Sequence, residues 1–539
     1  MAQERFIIQN QALEWAYSSG KAYADPFNDI DLDVVFTGPQ GKEWRVPAFW
    51  AGEQEWRVRF APLSPGLYRY RTICSDKSNP DLHGQEGILR VTPYEGTNPL
   101  FKHGPLRVSA DRRHLEHLDG TPFFWLGDTW WLSLCKRLKW PDEFQLLAAD
   151  RKAKGFTVIQ LVAGLYPDMP AFDPRGANEA GFPWEEGYAR INPAYFDMAD
   201  LRIRWLVNSG LVPCIVGSWG YLLLWTGLDK MKKHWCYLIA RYGAYPVVWC
   251  LAGEGGMPYY LSTDREGDKQ AQIAGWTEIG RYVRQIDPYH HPVTIHATAN
   301  SSSRDQLEDP TVVDFDLLQS SHSGFRVLPQ IAEHVVRSLR REPHMPVVNG
   351  EACYEGILEG SREEVQRFLF WSCLLSDAAG YTYGANGIWQ VNTREKPFGP
   401  SPHGMSWGDT PWEDAYRLPG STQLGIGKRL LERYEWWRFE PHQEWIEPCA
   451  GGENYFGNYA AGIPGQVRVF YLPGPITRRG SPTRIKGLEP GVRYQAFFVN
   501  PSDGSERPLG EVKAEAGGEW PMPLPPVMRD WVLVLERMM

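Results

Sequence analysis

Little in this chain points to redox, metal, membrane or nucleic-acid work. Its eight cysteines, at 74, 135, 214, 236, 250, 353, 373 and 449, are scattered without a CxxC pair. That spacing supports no metal site and fits buried free thiols. No metal and no cofactor is expected. No apolar run approaches about 18 residues, so no membrane span is expected. The N-terminus lacks a basic stretch followed by an apolar one, which leads us to expect a cytoplasmic protein. Positive charge is also short: the formal net charge is -9. A general nucleic-acid binder carries a basic face instead. Repeats and low-complexity tracts are missing too.

Aromatic residues are plentiful. They make up 13% of 539 residues, with 24 Trp. Many belong in cores, yet flat rings also pack on the C–H faces of sugars. The length predicts roughly two to four domains. Residues 1–97 read as a β-sandwich. Short alternating strands such as Glu55–Phe60 and Gly66–Ile73 are separated by turn signals at Gly38-Pro39 and Ser64-Pro65-Gly66. Residues 439–539 repeat the pattern, with Gly465–Leu472, Tyr494–Asn500 and Trp531–Glu536 as strands. Both flanking domains are expected to be antiparallel.

Between them, residues 98–438 alternate short apolar strands with longer helical stretches. The strand candidates are Phe123–Leu126, Val158–Val162, Val212–Val216, Val247–Leu251, Val293–His296, Phe315–Gln319, Val347–Asn349 and Gly380–Tyr383. Helical stretches such as Pro141–Lys154, Ala194–Ser209 and Gln270–Ile286 intervene. Eight such units predict a (β/α)8 TIM barrel, a multidomain α/β protein overall. The turn after the first strand, Gly127-Asp128-Thr129-Trp130-Trp131, lacks the glycines of a dinucleotide fingerprint.

A barrel keeps its active site at the C-terminal ends of its strands. Two of those ends match. Strand four runs into Gly253-Glu254 and strand seven into Gly350-Glu351. A pair of carboxylates is the minimum equipment for cleaving a glycosidic bond. Glu254, in an apolar setting, suits the proton donor. Glu351, beside Asn349 and within reach of polar neighbours, suits the ionised nucleophile. Around them the strand ends offer Asp128, Trp130, Trp131, Trp219, His296, His322, Tyr354, Tyr383, Asn386 and Trp389 as substrate-binding candidates. Asp128 is also readable as a helix cap, and Glu355 as a solvated or supporting acid.

Phe124–Trp131, Val248–Glu254, Gln319–His322, Pro346–Glu355 and Gly380–Trp389 together resemble the apiosidase-like glycoside hydrolases. That group is related to glycoside hydrolase family 140 and to the large clan of retaining (β/α)8 hydrolases. The resemblance implies a strand-four acid/base and a strand-seven nucleophile, which fall on Glu254 and Glu351. It departs at strand four. Relatives commonly carry Gly-Gly-Asp where this chain has Ala252-Gly253-Glu254, so the sugar need not be apiose.

The expected function is a cofactor-free, exo-acting, retaining glycosidase trimming a terminal sugar from an oligosaccharide or glycoside. The alternatives are a catalytically inactive carbohydrate-binding protein and a transglycosylase on the same substrates. A homo-oligomer is compatible with such a chain.

Overall fold

The computed structural model describes residues 3–322, 324–451, 454, 456–474, 483–514 and 517–538. The architecture is mixed α/β and multidomain. Its centre is a curled nine-stranded sheet. Eight strands of that sheet are β1 (Trp125–Thr129), β2 (Val158–Val162), β3 (Val212–Val216), β4 (Val248–Cys250), β5 (Val293–Thr294), β6 (Asp316–Gln319), β7 (Val347–Glu351) and β8 (Gly380–Tyr383). Their order is β5-β4-β3-β2-β1-β8-β7-β6, and every pairing among them is parallel. A two-residue strand, Ser301–Ser302, pairs antiparallel with β6 at one edge. All five residues of β2 and of β3 are buried. Branched apolar runs covered on both faces are what a parallel sheet requires.

Helices follow most strands: α1 (Asp142–Lys154), α2 (Pro193–Asn208), α3 (Leu228–Tyr242), α4 (Arg265–Ile286), α5 (Gly324–Leu339), α6 (Glu363–Leu374) and α7 (Pro419–Leu431). The start of α1 carries Asp142 and Glu143 and its last turn Arg151, Lys152 and Lys154, each opposing the local end of the helix dipole. Asn192 caps α2 by accepting from the Ala194 N–H, with Pro193 in the first turn. Glycines at 420, 425 and 427 hide the helical pattern of α7. Among the described residues no helix is long and apolar enough to cross a membrane.

Just before the central sheet Leu106–Phe123 form a three-stranded sheet, and the residues ahead of it form a five-stranded and another three-stranded sheet. Phe36 of one stacks on Phe60 of the other, with ring centroids 3.9 Å apart. The expectation of purely antiparallel pairing is corrected at one edge. Gln3–Ile8 pairs parallel with Glu86–Thr92. These strands lie some eighty residues apart, so the chain has ample length for the crossover that parallel pairing needs. After the central sheet come a six-stranded and a three-stranded sheet, all antiparallel.

Buried ion pairs fasten both flanks. Arg59, from Glu55–Phe60, bonds Asp200 on α2 and donates to the carbonyl of Arg241 at 2.7 Å. Arg241 itself reaches Asp200 Oδ1 at 3.0 Å. On the other side Arg367 of α6 grips Asp530 with two bonds, 2.6 and 2.9 Å. Planar two-point contacts of this kind fix orientation as well as charge.

Candidate active site

The two Gly-Glu steps have a shared local cause. A Cβ at Gly253 would meet the Trp219 ring at 2.1 Å, and one at Gly350 would meet Leu317 at 2.3 Å. Each glycine lets a neighbouring side chain lie against the strand just before the acid. Gly253 pairs with the chain after β3 through Gly220 N–H to Gly253 O, 2.7 Å. Glu254 then takes a left-handed backbone, φ 45. A non-glycine residue held there carries strain, which is common at functional positions.

Both glutamates line one cavity of about 260 Å³ at the C-terminal ends of the strands. Trp131, Trp219, His322, Tyr354 and Trp389 line it too, as do Asp168, Met257, Tyr260, Gln319, His403, Met405 and Trp407. The aromatic walls are packed against one another. Trp131 and Trp219 sit 5.7 Å apart, and Tyr354 and Trp389 6.1 Å apart.

Glu351 is held by donors on both oxygens. His322 Nε2 lies 2.7 Å and Gln319 Nε2 3.0 Å from Oε1, while His296 Nε2 lies 3.1 Å from Oε2. The Tyr354 hydroxyl also bonds the carboxylate, and receives the Trp131 indole N–H at 3.1 Å. Burial acts upward on Glu351, yet His296 and His322 hold it well below the usual carboxylate range. Burial also pushes the Glu254 carboxyl up, to about 7, and the charge of Glu351 adds to the push. Gln319 bonds Glu254 as well, so one amide spans the pair. One acid is thus held towards its protonated form and the other in its ionised form.

Not every candidate reaches the cavity. Asp128 is fully buried, accepts from Arg151 Nε at 2.6 Å and from Trp130 Nε1 at 2.6 Å, and does not line the cavity. Trp130 packs edge-on against Phe144 of α1, 5.8 Å away. The expectation that these two contact substrate is therefore corrected. Side chains alternate faces along a strand, so Asp128 and Trp130 point to the helices while Trp131 points inward. Tyr383 is corrected likewise: its hydroxyl donates to Glu355 Oε2 at 2.5 Å, and the Arg151 guanidinium lies 5.6 Å from its ring. His296 is fully buried behind Glu351 and acts on that carboxylate rather than on the cavity. Asn386 braces the rim, donating to Trp407 O at 2.8 Å.

Asp168, Tyr260, His403, Met405 and Trp407 were not among the candidates. They sit on irregular loops, which carry no periodic signal. Only Asp168 had a marker, its place just after β2.

A family model described as the apiosidase-like catalytic domain matches residues 109–438. The chain belongs to the apiosidase-like family. As a member of that family it is a glycosidase. A second model, a domain of unknown function (DUF5060), matches residues 8–75. No curated protein matches the chain. A solved structure named "Glycoside hydrolase" is 24% identical with a TM-score of 0.68, over 82% of this chain and 98% of its own. A glycoside hydrolase family 5 protein from Bacteroides vulgatus is 22% identical with a TM-score of 0.68, over 82% of this chain and 95% of its own. These two likenesses establish a shared fold.

Proposed function

We propose that this apiosidase-like glycosidase removes a terminal sugar with retention, using Glu254 as acid/base and Glu351 as nucleophile. The observation that carries the reading is the split between two glutamates on one cavity. Glu254 is held towards its neutral form and Glu351 in its ionised form. In the first step Glu254 gives its proton to the glycosidic oxygen. That bond breaks as a Glu351 oxygen bonds the anomeric carbon. In the second step Glu254 takes a proton from water, the hydroxide oxygen attacks the same carbon, and Glu351 leaves as a carboxylate. Retention is favoured over inversion by the basicity of Glu351. A general base works best with a pKa near the working pH. Glu351 lies far below that, which suits attack on carbon better than proton removal.

Exo action is supported by the size of the cavity, near the low end of ligand pockets at about 300–1,000 Å³. The reading takes the curled sheet as a (β/α)8 barrel. Parallel pairing of β8 with β1 supports this, as does the bond from Asp314 N–H to Val293 O, 2.7 Å, between the two edges. It also divides the chain at about residues 97 and 438, leaving the flanking sheets as separate domains.

A panel of 4-nitrophenyl glycosides, pentofuranosides included, tests the assignment. One or more should be cleaved by the wild type. Glu254→Gln and Glu351→Gln should each lose about 10³-fold or more in kcat/KM while keeping the wild-type melting temperature. Near-normal turnover by either folded variant would sink the two-glutamate mechanism.

A further inference from the structure

A third carboxylate shares the cavity with the two glutamates. Asp168 follows Pro167 just beyond β2, is 6% exposed, and takes a left-handed backbone at φ 56. A strained, buried acid that no cation neutralises by direct contact needs a reason. Its described partners are hydroxyls. Ser401 Oγ donates to Oδ1 at 2.7 Å, and the Tyr260 hydroxyl bonds it as well. Two hydroxyl donors leave a carboxylate with spare acceptor capacity, since its two oxygens offer about four lone-pair sites.

The same cavity also holds a complementary group. Trp219 is 4% exposed, and its indole Nε1 is buried with no hydrogen-bond partner among the described residues. A buried donor left unmade is costly, and such groups in native proteins call for an explanation. The cavity thus presents an acceptor-only group and a donor-only group that the cleavage chemistry does not use. A sugar hydroxyl is both donor and acceptor, so a ring carrying several hydroxyls satisfies the two together.

Charge narrows the class further. Asp168, Glu254 and Glu351 all face one small space. An anionic ring there would meet like charge in a low-dielectric setting, which disfavours binding. Resting on the glycosidase reading above, we propose that Asp168 and Trp219 are the specificity pair for the non-reacting hydroxyls of the terminal sugar, and that this sugar is uncharged. Uronic acids and sulfated sugars are excluded by the same carboxylate that grips the neutral ring.

The test uses binding as well as turnover, on the full-length chain. Titration calorimetry of Glu351→Gln compares arabinose, xylose, glucose and galactose with glucuronate and galacturonate. At least one neutral sugar should bind roughly tenfold or more tighter than either uronate. Adding Asp168→Asn to Glu351→Gln should weaken the neutral sugar by roughly 10- to 100-fold. Ser401→Ala, which breaks the same loop contact but keeps the carboxylate, should cost threefold or less. Three results overturn the proposal: uronates binding as well as every neutral sugar, Asp168→Asn leaving binding unchanged, or Ser401→Ala matching the loss in Asp168→Asn. Failure of the glycosidase reading would look different. It would appear as cleavage of aryl glycosides by Glu351→Gln, whatever the binding series gives.

Discussion

His322 Nε2 sits 2.7 Å from Glu351 Oε1, and the two groups set each other's charge. Burial works against the charged ring, but the bond to Glu351 outweighs it and raises the His322 pKa. The same bond helps hold Glu351 down. Replacing His322 with Phe removes the donor and leaves the carboxylate less stabilised. We expect kcat to fall about 10²-fold. The acid limb of the pH–rate profile should move to higher pH, because Glu351 then ionises nearer its ordinary value. Steady-state kinetics across pH 3–8 on the best panel substrate would read both effects.

Glu254 governs the other limb. As general acid it must be protonated, and burial with the charge of Glu351 sets its pKa at about 7. Activity should therefore fall as pH rises above about 7. In Glu351→Gln the like charge is gone, so the Glu254 pKa should drop. Carbon-13 NMR of labelled glutamate carboxyls in wild type and variant would follow it directly. An unchanged value would mean that burial alone sets the Glu254 pKa.

Glu355 makes a stability prediction. It is 2% exposed, and burial pushes its carboxyl from 4.5 to about 7. Between those values the unfolded chain has already lost the proton that the folded chain retains. Stability therefore falls as pH rises through that window, by about 3 kcal/mol from this group. Glu355→Gln should make the decline between pH 5 and pH 8 in thermal melts shallower, with Glu254, raised to the same value, supplying part of what remains. Glu351 does not confuse the measurement, since its lowered pKa makes its contribution vary below 4.5.

Asp128 separates structure from chemistry. Asp128→Ala leaves Arg151 buried without this carboxylate, which costs about 3–5 kcal/mol for a broken buried pair. The melting temperature should drop clearly. At temperatures where the variant stays folded, its KM should remain within about threefold of the wild type, since Asp128 does not line the cavity. A large KM change in folded protein would return Asp128 to the substrate.

Much of the candidate site was legible in the sequence because the strands that carry it are periodic. The strands Val158–Val162 and Val212–Val216 fall where their branched apolar runs placed them, and Gly380–Tyr383 falls at its expected bounds. Both glutamates, with Trp131, Trp219, His322, Tyr354 and Trp389, meet at one cavity. What failed was phase. Reading the end of β1 as a cluster ignored that adjacent residues face opposite ways, and so put Asp128 and Trp130 on the wrong side. Tyr383 failed for a related reason, its hydroxyl turned towards Glu355. The outer rim was not legible. Tyr260 lies far along the chain from the loop that carries His403 and Trp407, and only folding brings them to one mouth.

The buried meeting of Arg59, Asp200 and Arg241 bears on how the protein can be cut. A truncation near residue 97 looks safe on the sequence, since it removes sheets that carry no candidate catalytic residue. It would nevertheless pull one cation out of a buried cluster and uncover the faces of α2 and α3 against which the N-terminal sheets pack. The N-terminal piece made alone would keep the bond from Arg59 Nε to Glu14 Oε2, 2.6 Å, but would expose the rest of the guanidinium on its contact face. The flanking sheets are thus poor units for exchange between relatives. A chimera would have to carry Asp200 and Arg241 along with Arg59, so the workable seam runs through α2 and α3 rather than through the linker.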